Sequence, residues 1–153
     1  MPSNSTTIRL ATYNDAETIA QFNCAIAQET EGKSLDEALV LSGVRRGIDR
    51  GPEVRYFVAD KGGQLVGCLM ITREWSDWRD GWIIWIQSVY VAADFRGQGI
   101  FKLLLQSASE IVKQEPDTIG LRLYVELENA RAQEVYLRTG FADPNYKVLE
   151  KMF

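Results

Sequence analysis

Arg96-Gly97-Gln98-Gly99 stands between two runs of opposite periodicity. Before it, Ile83-Ile84-Trp85-Ile86 leads to Val89-Tyr90-Val91, β-branched and aromatic residues that read as a strand. After it, Ile100, Leu103, Leu104, Ala108, Ile111 and Val112 recur at helical spacing. N–H groups at a helix start lack intrahelical partners and lie at the positive end of the dipole. A strand, glycine loop and helix with an arginine at the mouth therefore suit a phosphate. The chain has no histidine. That excludes imidazole shuttles, Ser-His-Asp and Cys-His systems and His-ligated zinc. Acid–base work must fall to Glu, Asp, Tyr, Lys, Cys or water.

The rest of the composition sets the frame for that loop. A chain of 153 residues, 46% hydrophobic and 25% charged, is expected to be one globular domain with a real core. The absence of an apolar run of about 18 residues argues against a membrane partner. A net charge of -4 argues against a nucleic-acid partner and is compatible with a cationic small substrate. The start Met1-Pro2-Ser3-Asn4-Ser5-Thr6 has neither a basic nor an apolar stretch, so it reads as a frayed lead-in and not a signal peptide. Cys24 and Cys68 lack metal-ligand spacing, and buried free thiols point to a reducing cytoplasm with no metal site.

The elements that must position the loop follow from patterning. A strand is expected over Ile8 to Tyr13, then a helix over Ala16 to Gln28 capped by Asn14-Asp15. Ser34-Leu35-Asp36-Glu37 has the form of a capping box for a second helix reaching Asp49. Arg55 to Asp60 and Gln64 to Trp75 flank the hairpin turn Lys61-Gly62-Gly63. Trp82 to Val91 is the strand before the loop, and the helix after it ends before Pro116. Leu121 to Glu126 is a further strand, Ala130 to Thr139 a helix stopped by Gly140, and Tyr146 to Phe153 a last strand. An early meander and a late βαβ crossover imply a mixed sheet with helices on its faces.

Missing residues exclude two of three phosphate-loop types. No Gly-x-x-x-x-Gly-Lys-Ser/Thr run exists, and Gly97-Gln98-Gly99 lacks the third glycine of a dinucleotide fingerprint. Arg96-Gly97-Gln98-Gly99-Ile100-Phe101 resembles the Arg/Gln-x-x-Gly-x-Gly/Ala loop of the Gcn5-related N-acetyltransferase (GNAT) superfamily, departing at Phe101. Asn129-Ala130-Arg131-Ala132-Gln133-Glu134-Val135-Tyr136-Leu137-Arg138-Thr139-Gly140-Phe141 resembles that family's second signature, with Asn129, Ala132, Tyr136 and Gly140 on one helical stripe. Alone, either segment has a bland reading, as a tight turn or a core tyrosine. Together, in this order and spacing, they outweigh it, and because the element order also matches that family the resemblance covers nearly the whole chain.

The resemblance implies an α/β (α+β mixed) acyl-CoA N-acyltransferase fold. Its sheet would be mostly antiparallel with six to seven strands, flanked by about four helices. It implies acetyl-CoA as cosubstrate, without a metal. Val89, Tyr90 and Val91 would pair with the pantetheine arm, with the N–H near Val89 facing the thioester carbonyl. The amides of Gly97, Gln98, Gly99, Ile100, Phe101 and Lys102 would cradle the pyrophosphate, with Arg96 at the entrance. Asn129 would touch the pantetheine, and Tyr136 would give the leaving thiolate a proton. The acceptor would be a small-molecule or peptide amine. A non-catalytic acyl-CoA-binding sensor or docking module is the alternative, and Tyr136 favours the enzyme.

The acceptor side is less legible. Glu126, closing the strand expected beside the cofactor, and Glu74 are the candidate bases, with Glu126 ahead. Each has the reading of a solvated strand-end charge beside it. Trp75 and Trp78 look like a loop that could wall an acceptor pocket or form a homodimer contact, whereas Trp82 and Trp85 suit core packing. Glu29, Glu31, Asp36 and Glu37 form an acidic stretch that reads first as a solvated helix face.

Overall fold

The computed structural model describes residues 5–153. Five strands form one sheet in the order β1-β2-β3-β4-β5: β1 (Thr6–Leu10), β2 (Val54–Lys61), β3 (Gln64–Ser76), β4 (Gly81–Val91) and β5 (Thr118–Leu123). The first four pair antiparallel in succession. Helices α1 (Ala16–Glu31) and α2 (Glu37–Ile48) fall between β1 and β2, α3 (Ile100–Lys113) between β4 and β5, and α4 (Ala130–Arg138) after β5. Trp82 N–H donates to the Asp117 carbonyl at 2.7 Å, so β4 and β5 start side by side. With α3 joining them, this is the crossover of a parallel pair. Residues up to Arg122 form one compact unit and Leu123–Phe153 a second.

Side-chain alternation sends two sets of residues to opposite faces of the sheet. Tyr56, Val58 and Cys68 join Ala16, Ile19, Ala20 and Val44 in a core beneath α1 and α2. Phe57 and Leu69, on the intervening positions, are fully buried, as is Leu104 of α3. Helix α3 packs against β2, β3 and β4.

Five expectations need correction. The sheet has five strands among the described residues, and no ladder forms over Tyr146–Phe153, where Leu149 and Phe153 stand exposed. Apolar and aromatic residues mark a segment able to pair; they do not supply the partner. Strand β5 ends at Leu123, which leaves Glu126 beyond it. Helix α2 is capped by Asp36, whose carboxylate accepts Leu39 N–H at 3.1 Å, so Ser34 lies outside the cap. Thr6 belongs to β1 and is no frayed lead-in; residues 1–4 of that segment lie outside the described residues. Asp15, expected as a cap, instead grips Arg9 at 2.8 Å and Thr12 N–H at 2.7 Å; the Arg9 hydrogen bond foremost holds its carboxyl below the usual range.

The register of β3 on β4 contains the feature that shapes the loop end of the sheet. Cys68 lies opposite Tyr90 and Met70 opposite Gln87, so two steps on β3 meet three on β4. Ser88 and Val89 together face Leu69: a β-bulge, with Ser88 at φ 52°. Burial pushes the Cys68 thiol up to about 12, and its protonated sulfur donates to the Ser88 carbonyl at 3.6 Å. Beyond the bulge, Ala92 N–H donates to Val66 O at 2.8 Å, making 92 and 66 a hydrogen-bonded pair. The neighbouring Val91, opposite Gly67, therefore turns its N–H and C=O away from β3.

Two substitutions check this geometry. A Cβ at Gly67 would meet Tyr90 O at 2.7 Å and Leu104 Cδ1 at 3.2 Å. Gly67→Ala should destabilise by about 1–3 kcal/mol in urea titration, the cost of overpacking; an unchanged midpoint would contradict the close approach. Ser88→Val should lose about 1–2 kcal/mol, the penalty of a left-handed conformation, while Ser88→Gly should not.

Candidate active site

Four features of the first unit converge at the C-terminal end of β4. Strand β4 has 11 residues and β5 has 6, so β4 outruns its neighbour. Its last residues present an edge bearing the outward groups of Val91. A short 3₁₀ turn (Ala93–Phe95) then leads into the glycine loop. Gly97 and Gly99 take φ of 78° and 80°, and a Cβ at either would meet nothing within 4 Å. They are glycines because the backbone is left-handed. Gly99 is the N-cap of α3 and supplies no side-chain cap, which leaves the helix start to an external acceptor.

Side chains add charge to this cradle. Lys61, at the tip of the β2–β3 hairpin, donates to Gln98 Oε1 at 3.1 Å and stands 5.5 Å above the Phe95 ring. Sequence reading missed Lys61. Its lysine-glycine-glycine turn marked a hairpin but not what lies beside the tip. Arg96 turns back along β4: its Nε donates to Val91 O at 2.9 Å and its guanidinium carbon lies 5.4 Å over Tyr90. Tyr90 packs on Phe22 of α1 with ring centroids 5.1 Å apart. Ile100 is buried, which pins the helix start to the sheet. Phe101 is half-buried and shares the stripe of Leu104, Leu105 and Ala108, so the benzyl group follows the core side of α3. Lys102 is exposed.

On the α1 face of β3 and β4, a polar strip runs from the bulge toward the start of β4. Gln87 Nε2 donates to Thr72 Oγ1 at 2.8 Å. Next, Glu74 accepts Trp85 Nε1–H at 2.9 Å on one oxygen and Arg122 at 2.9 Å on the other. Arg122 also lies 5.8 Å from the Trp85 ring centre. Gln87, Thr72 and Arg122 carried no motif; only strand alternation, once the bulge is known, puts them on this face. Trp75 is within β3, edge-on to Trp82 at 4.9 Å, and Trp78 is 85% exposed in the turn after it. A cavity of about 280 Å³ bordered by Arg55, Arg73, Trp82 and Glu115 lies at the other end of β4 from the glycine loop.

The second unit holds the other sequence-predicted residues. Asn129 caps α4, its Oδ1 accepting Ala132 N–H at 3.2 Å, so part of its side chain serves the helix. Tyr136 stacks edge-on with Phe141 at 5.6 Å, and burial pushes its hydroxyl up to about 12. Gly140, at φ 100°, lies past the end of α4 and terminates it instead of extending the stripe. Glu126 is exposed and accepts Glu128 N–H at 3.1 Å. Among the described residues no group of His, Cys, Asp and Glu is placed to hold a metal ion, and no helix is long and apolar enough to cross a membrane.

The chain is similar to known proteins. A profile of the acetyltransferase (GNAT) family matches residues 16–141. The chain is 30% identical over 115 residues to an uncharacterized N-acetyltransferase of Chlorobaculum tepidum, covering 75% of this chain and 65% of that one. An aminoalkylphosphonate N-acetyltransferase of Salmonella typhimurium is 25% identical over 140 residues, covering 92% and 87%. Another relative, an uncharacterized N-acetyltransferase of Methanocaldococcus jannaschii, is matched over only 39% of its length. Among solved structures, a possible acetyltransferase from Clostridium difficile superposes with a TM-score of 0.89 at 38% identity, covering 97% of both chains. A predicted acetyltransferase from Clostridium acetobutylicum, solved with acetyl-CoA, shares the fold at a TM-score of 0.77 and 15% identity, covering 96% of each chain. The chain belongs to the acetyltransferase (GNAT) family.

Proposed function

We propose that this chain moves an acetyl group from acetyl-CoA to a primary amine by direct attack. The observation that carries the reading is the β4 edge beyond the bulge, which offers outward peptide groups to an extended arm and ends in an open left-handed glycine loop. Acetyl-CoA fits that pattern, with a peptide-like pantetheine arm and a pyrophosphate at its end. It supplies the activated thioester. Val89 and Val91 pair with the arm, and the strand amide near Val89 faces the thioester carbonyl as a preorganised donor. The amides from Gly97 to Lys102 hold the pyrophosphate, with Arg96 and Lys61 beside it.

Tyr136 is the proton donor to the departing thiolate. With its pKa pushed up to about 12 by burial, the phenol stays protonated across the working range and so has a proton to give. Glu126 takes the ammonium proton, directly or through water. Both oxygens of Glu74 already accept hydrogen bonds, which suits it to shaping the acceptor side. The relative named for aminoalkylphosphonates agrees with a small amine as acceptor. Both cysteines are free thiols, in keeping with a cytoplasmic placement.

Acetyl-CoA at saturation should raise the melting temperature, and an amine panel should release free CoA thiol. Stabilisation without thiol release would favour the acyl-CoA sensor instead. Tyr136→Phe should lower kcat about 10²-fold with little change in acetyl-CoA affinity, and Glu126→Gln similarly; unchanged turnover removes either from its role. A phenol is an acid only below its pKa, and that pKa is raised to about 12. The wild-type rate should therefore show no fall from loss of the acid between pH 8 and 10. A descending limb there that Tyr136→Phe abolishes would contradict it.

A further inference from the structure

Glu29 lies far from both signature motifs, yet it holds the arginine of the first. Its carboxylate oxygens accept from Arg96 Nη2 at 2.9 and 3.1 Å, across 67 residues of sequence. Nothing in α1 calls for an acid there. Glu29 sits near the C-terminal end of the helix, where no basic residue offsets it and the dipole disfavours a negative charge. Gly32, at φ 64°, already closes the helix. What the carboxylate serves lies on β4 and the loop after it: the Arg96 guanidinium, with the Tyr90 hydroxyl beside it.

We propose that Glu29 is an internal competitor for the pyrophosphate of coenzyme A, and that it sets how tightly the cofactor is held. This rests on the acetyl-CoA reading above. Carboxylate and phosphate bind the same guanidinium fork. Arg96 is folded back onto the outward Val91 carbonyl and the Tyr90 ring while Glu29 neutralises it. The guanidinium thus lies over the strand edge that the pantetheine arm would use. Arg96 and Glu29 are 49% and 42% exposed, so the pair is weak enough for a multiply charged ligand to displace. Entry of the cofactor exchanges one anion for another at Arg96 and uncovers the Val91 carbonyl.

Calorimetric titration with coenzyme A across four proteins tests this: wild type, Glu29→Gln, Arg96→Gln and the double variant. Glu29→Gln should tighten binding about two- to fivefold, the scale of releasing an exposed ion pair. Arg96→Gln should weaken it, and in that background Glu29→Gln should have no effect. Unchanged or weaker binding by Glu29→Gln would overturn the proposal, because Glu29 would then be holding Arg96 in its binding position. Tightening that persists without Arg96 would overturn it too, since removal of any nearby negative charge would suffice. A wild type that does not bind coenzyme A would reject the acetyl-CoA reading itself, and this inference with it. Binding by wild type without the Glu29 effect rejects only the competition.

Discussion

One extra residue in β4 governs the arrangement of the loop end of the sheet. Were the ladder continuous, Gln87 and Tyr90 would point to opposite faces, since they are an odd number of residues apart. With Ser88 and Val89 sharing one partner, both face α1, one beside Thr72 and the other against Phe22. The bulge also bends the strand locally. Its cost, a non-glycine residue in the left-handed region, is set in a surround of buried contacts that includes the Cys68 thiol.

Packing on both faces makes that irregularity tolerable. Phe57, Leu69 and Leu104 fill one side completely, and Ile19 and Val58 the other. Gly67 lets the α3 side chains approach the β3 backbone beneath Tyr90. Interiors at this density deform little, so the open edge of β4 and the start of α3 are held in fixed relation. A cradle for phosphate needs that rigidity more than it needs any individual side chain.

Much of this was legible in the sequence, for identifiable reasons. Gly97 and Gly99 were readable because a left-handed turn selects glycine, and α3 because its stripe is strongly periodic. Tyr136 lies on a helix as its spacing predicts, whereas Asn129 stands just outside it as the cap. Other parts depend on pairing, which composition does not encode. The bulge at Ser88 and Val89 breaks no rule of strand propensity, so Gln87 could not be put on the face of Tyr90, and Thr72 and Arg122 carry no motif that names their partners. Lys61 reached the loop through hairpin geometry and Glu29 through the end of α1. The Tyr146–Phe153 segment shows the converse, apolar residues read as a strand without a ladder.

The Glu74 node gives the chain an internal optical probe. Trp85 has its indole N–H on a carboxylate and a guanidinium near its ring, all on the face that leads from the bulge. Indole emission responds to the charges around it, so a cation drawn toward Glu74 would change the field at Trp85 directly. Trp78, 85% exposed in the turn, would be comparatively indifferent. The Glu74 node thus carries its own reporter in Trp85, readable without a label once the emission of Trp75, Trp78 and Trp82 is subtracted.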